Sequence, residues 1–151
     1  MSKYKLVEYK ASNIKGYNGH KIMVEQGFVP KLDTINALAI KHALIVWVTN
    51  SCRIGDVKLK GTIVTPAKMS NHKIGRAIDM NLQCTKTKEW FNTAKMRDGV
   101  GKDNVFLLEV DLDSALRWGG KFSVKDEVHI DDGTNIINSK LYTEIYNSIQ
   151  G

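Results

Sequence analysis

Cysteine and proline are both scarce in this chain, and each shortage excludes something. Among 151 residues there are two cysteines, Cys52 and Cys84. Two thiols cannot build a disulfide framework or a four-cysteine zinc site, so they read as small buried side chains. The only prolines are Pro30 and Pro66, and no Pro/Gly/Ser-rich stretch divides the sequence. No linker is expected, and residues 1–151 read as one domain. Long apolar runs are also missing. The longest, Ala43 to Val48, falls far short of the roughly 20 residues a membrane-crossing helix needs, so no stable membrane insertion is expected. The opening MSKYKLVEYKASNIKGY has no apolar core of a secretory leader, which predicts synthesis in the cytoplasm without a signal peptide.

Negative charge is scarce in the first half. Residues 1–76 hold 13 Lys+Arg against 4 Asp+Glu, whereas residues 77–151 hold 9 against 12, for a net charge of +6. A basic half suits an anionic partner or a solvated lysine-rich face. No stacking aromatics or nucleic-acid motif accompany the lysines, so a nucleic-acid partner is not expected.

The pattern of apolar residues predicts mixed elements. After Pro30, Leu32, Ile35, Leu38, Ala39, His42 and Ile45 fall near one helical face, with Asp33 as the expected cap. Leu44 to Thr49 reads as a buried strand, and Ala77 to Leu82 alternates as another. Residues 51–71 read as a long irregular loop. Lys86 to Arg97 predicts a helix burying Trp90, Phe91 and Ala94; Val105 to Leu108 is helix or strand; Glu127 to Asp131 suits a strand. Ile137, Leu141, Ile145 and Ile149 predict one amphipathic C-terminal helix. Residues 1–29 are strand or loop. The class is α+β, a small antiparallel sheet flanked by helices.

Histidine is the last scarce residue, with four in all. His42, on the predicted helix face, reads as a packing residue, and His20, between Gly19 and Lys21, as a loop residue. The other two have carboxylates nearby. In Ser70-Asn-His72-Lys-Ile-Gly75-Arg-Ala77-Ile-Asp79, Gly75 lets the chain turn so that His72 folds back toward Asp79. In Asp126-Glu-Val-His129-Ile-Asp131, a strand would put Glu127, His129 and Asp131 on one face, with Asp126 at its entry. Imidazole and carboxylate are suitable zinc donors, and a His, Asp, His set leaves a fourth position open, the arrangement of a catalytic site. Spacing alone does not decide this, because one His and one Asp seven residues apart are common. Asp131 and Asp132 read as a solvated turn before Gly133.

The first block resembles the Ser-x-His-x-x-Gly-x-Ala-x-Asp signature of the D-Ala-D-Ala carboxypeptidase and L-alanyl-D-glutamate endopeptidase family of zinc peptidases. Ser70, His72, Gly75, Ala77 and Asp79 fill every specified position. The family's second block, an acid-x-x-His often preceded by Trp-Gly-Gly, is similar to Trp118-Gly119-Gly120 followed by Asp126-Glu-Val-His129. The resemblance covers roughly residues 30–131. It implies the Hedgehog-like fold of these peptidases, Zn2+ on His72, Asp79 and His129, and Asp126 as the catalytic acid/base, with Glu127 second. Arg53, in Asn50-Ser51-Cys52-Arg53, matches the family's substrate-carboxylate arginine, and Trp118 is expected to pack beneath the site. Ser70 is expected to contact substrate or orient its loop. The implied partner is bacterial peptidoglycan; small size, the lack of an apolar leader or second domain, and the basic charge further suggest a monomeric phage endolysin, expected to act on the wall after release. Two other readings carry the same residues: a D,D-carboxypeptidase or dipeptidase on D-Ala-D-Ala, and a non-enzymatic zinc-containing binding protein.

Overall fold

The computed structural model describes residues 3–52 and 69–150. The predicted loop at 51–71 therefore lies mostly outside the described residues, as does Arg53. The N-terminal segment forms three short strands, β1 (Leu6–Tyr9), β2 (Ile14–Gly16) and β3 (Ile22–Glu25). β1 and β3 pair antiparallel as a separate ribbon. Helix α1 (Val29–Lys41) follows, with Pro30 in its first turn, where a missing N–H costs nothing. It buries Leu32, Ile35 and Ala39. Two expectations change here. Asp33 does not cap the helix; it accepts a hydrogen bond from the Tyr9 hydroxyl at 2.8 Å. The helix also stops at Lys41, because Ala43 turns left-handed at φ 52°, so Ile45 belongs to the next strand.

That strand, β4 (Leu44–Asn50), and β5 (Ala77–Cys84) are the longest in the fold and pair antiparallel. Leu44, Val46 and Val48 face Cys84, Leu82 and Met80, all buried. β6 (Trp90–Phe91) pairs with the end of β5. This replaces the helix predicted from Lys86: only α2 (Thr93–Arg97) is helical, capped by the Asn92 side chain on the Lys95 N–H. Strand pairing of Trp90 with Gln83 outcompetes local helix formation, and it leaves Trp90 and Ala94 exposed while Phe91 is buried. Residues 105–108 fall inside α3 (Gly101–Leu112), which buries Phe106, Leu107 and Val110. β7 (Arg117–Trp118) and β8 (His129–Asp131) complete the sheet, whose order is β2-β4-β5-β8-β7 with β6 beside β5. β2–β4 is its parallel pair; the others are antiparallel. Helices α1 and α3 close the core against the inner face. The architecture is α+β, as the apolar pattern predicts.

The C-terminal helix is broken in two. α4 (Thr134–Ile137) stops at Asn138, whose side chain accepts the Leu141 N–H at the start of α5 (Ser139–Gln150). Ile137 is consequently exposed, while Ile145 packs with Ile74 and Tyr142 in a second small cluster. Among the described residues no helix is long and apolar enough to cross a membrane.

Gly75 links this framework to the histidine block. It sits at φ 71°, and a Cβ there would lie 2.5 Å from the Glu25 backbone nitrogen. The same junction is tied by Arg76, whose guanidinium contacts Glu25 at 2.7 Å and Asp132 at 3.2 Å. Gly99 has the same backbone hand, φ 72°, but open space around it. Gly75→Ala is therefore expected to lose more than the roughly 1–2 kcal/mol that the left-handed conformation costs, and Gly99→Ala no more than that, as measured by urea unfolding.

Candidate metal centre

The site is assembled by strand register. Asp79 of β5 pairs directly with His129 of β8, so both side chains point to the same face. His72 reaches them from the short 3-10 turn Asn71–Ile74, which Ser70 caps by accepting the His72 N–H at 3.2 Å. Ser70 is itself buried, so its described contact is the loop-orienting one. His72 Nε2 lies 3.1 Å and His129 Nδ1 3.2 Å from the same Asp79 oxygen. Three ligand atoms, one from each residue, lie within 4.8 Å of one another.

The remaining atoms of each side chain are committed elsewhere. His72 Nδ1 lies 2.7 Å from the Ser51 carbonyl, which can only accept. His129 Nε2 lies 2.7 Å from an Asp131 carboxylate oxygen. Each neutral imidazole therefore carries its proton on the outer nitrogen and turns a lone pair inward. Asn50 donates to the second Asp79 oxygen at 3.2 Å; a register shift between Val48 and Asn50 brings it opposite Asp79. Two nitrogen lone pairs and a carboxylate then converge, an arrangement that repels itself unless a cation or proton sits between them. The donor set and the partner behind each donor fit a metal ion.

The electrostatics follow the geometry. Burial pushes the Asp79 carboxyl up, but hydrogen bonds from His129 and His72 outweigh it and hold the group far below the usual range. Burial pushes His129 down, yet Asp131 and Asp79 raise it to about 9, so in the metal-free chain a proton takes the cation's place. Asp126 behaves oppositely: burial raises its carboxyl, the Asp79 charge adds to this, and His129 and His72 oppose it. Such a carboxyl exchanges protons more readily near neutrality than an ordinary aspartate.

The Trp118-Gly119-Gly120 block positions Asp126. Trp118 is buried and its indole donates to the Glu127 carbonyl at 2.8 Å. The Gly119 carbonyl accepts the Asp126 N–H at 2.9 Å, and a Cβ on Gly119 would collide with the Asp126 carbonyl. Glu127 does not share the His129 face. It lies outside β8 and is paired twice with Arg97, at 2.8 and 3.1 Å. Asp131 and Asp132 are not a solvated turn either; both are buried. Arg117 grips Asp131 at 2.8 and 2.9 Å, and Asp132 pairs with Arg76 and Lys31. Asn50 and the Ser51 carbonyl are the supporting groups that sequence reasoning missed; Asp131, which strand alternation placed on the His129 face, joins them at 2.7 Å from His129 Nε2. Asp131 was visible as a carboxylate two residues past His129, but nothing local revealed its burial. His20 is exposed, and His42 pairs with Glu109 at 3.0 Å far along the chain.

Residues 64–132 match the family model for D-alanyl-D-alanine carboxypeptidase. That segment, somewhat under half of the chain, contains Ser70, His72, Asp79, Asp126 and His129. The family resemblance read from the two sequence blocks is thus shown over residues 64–132. No curated protein matches the chain. Neutralising the acceptor behind His129 should loosen the centre without emptying it. Asp131→Asn is expected to weaken divalent-metal binding by about 10–100-fold, and His72→Ala by more, measured by competition against a chromogenic chelator.

Proposed function

We propose that the chain is a zinc-dependent peptidoglycan peptidase of the endolysin type, cutting an amide bond of the stem peptide, L-Ala–D-Glu in the first instance. The premise is the peptidase-family match over residues 64–132. The observation that carries the reading is the convergence of His72, Asp79 and His129 beside a half-buried carboxyl, Asp126, that is not one of them. His72 Nε2, Asp79 and His129 Nδ1 would hold the ion, with Ser51, Asn50 and Asp131 fixing their orientation. A bound zinc ion supplies Lewis acidity toward a substrate carbonyl and makes water more acidic.

The chain's own groups account for the proton. Asp126 takes a proton from the attacking water as the new C–O bond forms, and returns it to the amine nitrogen as the C–N bond breaks. Its raised proton affinity suits both halves of that cycle. Arg53, by its sequence position, would pair with a substrate carboxylate, for which a guanidinium is well shaped. The net charge of +6 would draw the enzyme toward an anionic wall after its release from the cytoplasm. A D,D-carboxypeptidase acting on D-Ala-D-Ala is the second reading, favoured by the description of the matching family. A non-enzymatic zinc protein would have no use for Asp126.

Mass spectrometry of muropeptides digested with and without chelator tests metal dependence and names the bond together. The expected result is chelator-sensitive release at L-Ala–D-Glu. Asp126→Asn is expected to lower kcat by about 10²–10⁴-fold while zinc affinity stays near that of the parent. Cleavage at wild-type rate by folded His72→Ala or Asp126→Asn protein would refute the mechanism.

A further inference from the structure

Strand alternation gives the sheet two faces, and one of them is the core. On the other face β5 carries Asp79, Asn81 and Gln83, with Trp47 of β4 opposite Asn81. Trp90 of β6 pairs with Gln83, and Lys15 of β2 with Trp47. The face that holds Asp79 therefore continues along β5 into a group of aromatic rings.

Trp90 is 43% exposed and Tyr17 41%. The Trp47 and Trp90 ring centroids are 6.1 Å apart, and Tyr17 meets Trp90 edge-on at 6.2 Å. The cluster is braced from the strand: Trp47 donates to the Gln83 side chain at 3.0 Å, and Gln83 donates to the Lys88 carbonyl at 3.2 Å. Rings left in water contribute little to folding, and such a patch marks a contact surface. Its rim is polar, with Asn81, Gln83 and Lys15. Aromatic faces bordered by amide and ammonium groups suit a ligand with flat C–H faces edged by hydroxyl and acetamido groups, which is the chemistry of an amino-sugar pyranose. A partner helix would need a continuous aliphatic stripe, which these polar residues interrupt.

We propose that Tyr17, Trp47 and Trp90 form a sugar-stacking platform that receives the glycan strand whose stem peptide is cut at the metal centre. The inference rests on the peptidoglycan reading above. Gln83 stands four residues from Asp79, about 14 Å along an extended strand. A glycan seated there delivers the sugar-proximal part of the stem to the metal centre. L-Alanine joins the stem to the sugar, so the platform favours the L-Ala–D-Glu bond over the distal D-Ala–D-Ala bond.

The test uses N-acetylglucosamine oligomers, which are glycan without peptide. Binding is followed by tryptophan fluorescence and by amide NMR shifts in the parent chain, Trp90→Ala and Tyr17→Ala, each checked for fold by circular dichroism. Saturable binding is expected, with shifts centred on Trp47, Gln83 and Trp90. Each variant should bind about tenfold more weakly or worse, with zinc affinity unaltered, and Trp90→Ala should raise KM on intact cell walls more than it lowers kcat. Absence of oligomer binding, or equal binding by the variants, overturns the platform even if walls are still cut. Self-association in sedimentation that Trp90→Ala abolishes also overturns it, assigning the face to a second copy. Oligomer binding without any peptide hydrolysis upholds the platform and counts against the peptidase reading instead.

Discussion

The pairing of Asp79 with His129 across β5 and β8 is the constraint on which the rest of the site depends. Side chains alternate along a strand, so a slip of one residue would drive His129 into the core and bring Ile130 to the face that holds Asp79. The register is held by what surrounds it. Ile78 and Ile130 face each other and are fully buried, which makes the slipped arrangement costly. On the outer side, Asp131 holds His129 and is held in turn by Arg117. Apolar burial on one face and ion pairing on the other select the same register.

Charge is distributed with the same economy. The basic first half and acidic second half meet through Lys31 and Arg76 on the buried Asp132 and, at the surface, through Lys41 on Glu109. Part of the asymmetry that reads as attraction for an anionic partner is thus spent on internal pairing. Buried acids near the site each have a stated counter-group: Glu25 has Arg76, Glu127 has Arg97, and Asp131 has Arg117. Asp126 differs, since its neighbours include the Asp79 charge and its carboxyl is raised rather than lowered. Among the described residues Asp126 makes no ion pair, and a carboxyl without one exchanges protons more readily near neutrality than a paired one.

The two faces of the sheet divide the labour. The inner face and the helices α1 and α3 supply the packing. The outer face is left to polar, charged and aromatic residues, from His129 and Asp79 at one end to Gln83 and Trp90 at the other. Because a strand's period is two, every residue added to the core face adds one to the working face, and a long β5 provides both.

The sequence by itself determined the class of fold, the strand runs of β4 and β5, and the donor set of the candidate centre, His72, Asp79 and His129. These are legible because period-two alternation and a motif of spaced donors are local properties of the chain. Gly75 announced a turn in the same way. The sequence did not determine which carboxylates would be buried. Asp131 and Asp132 precede a glycine and resemble a solvated turn, and only the approach of Arg117, Arg76 and Lys31 from distant segments makes them interior. Nor did it determine the fate of Trp90. A helical pattern buries that ring, whereas pairing with Gln83 turns it outward beside Trp47 and Tyr17. Helix, strand and cap compete within about a kilocalorie per residue, so partners brought by the tertiary fold decide between them.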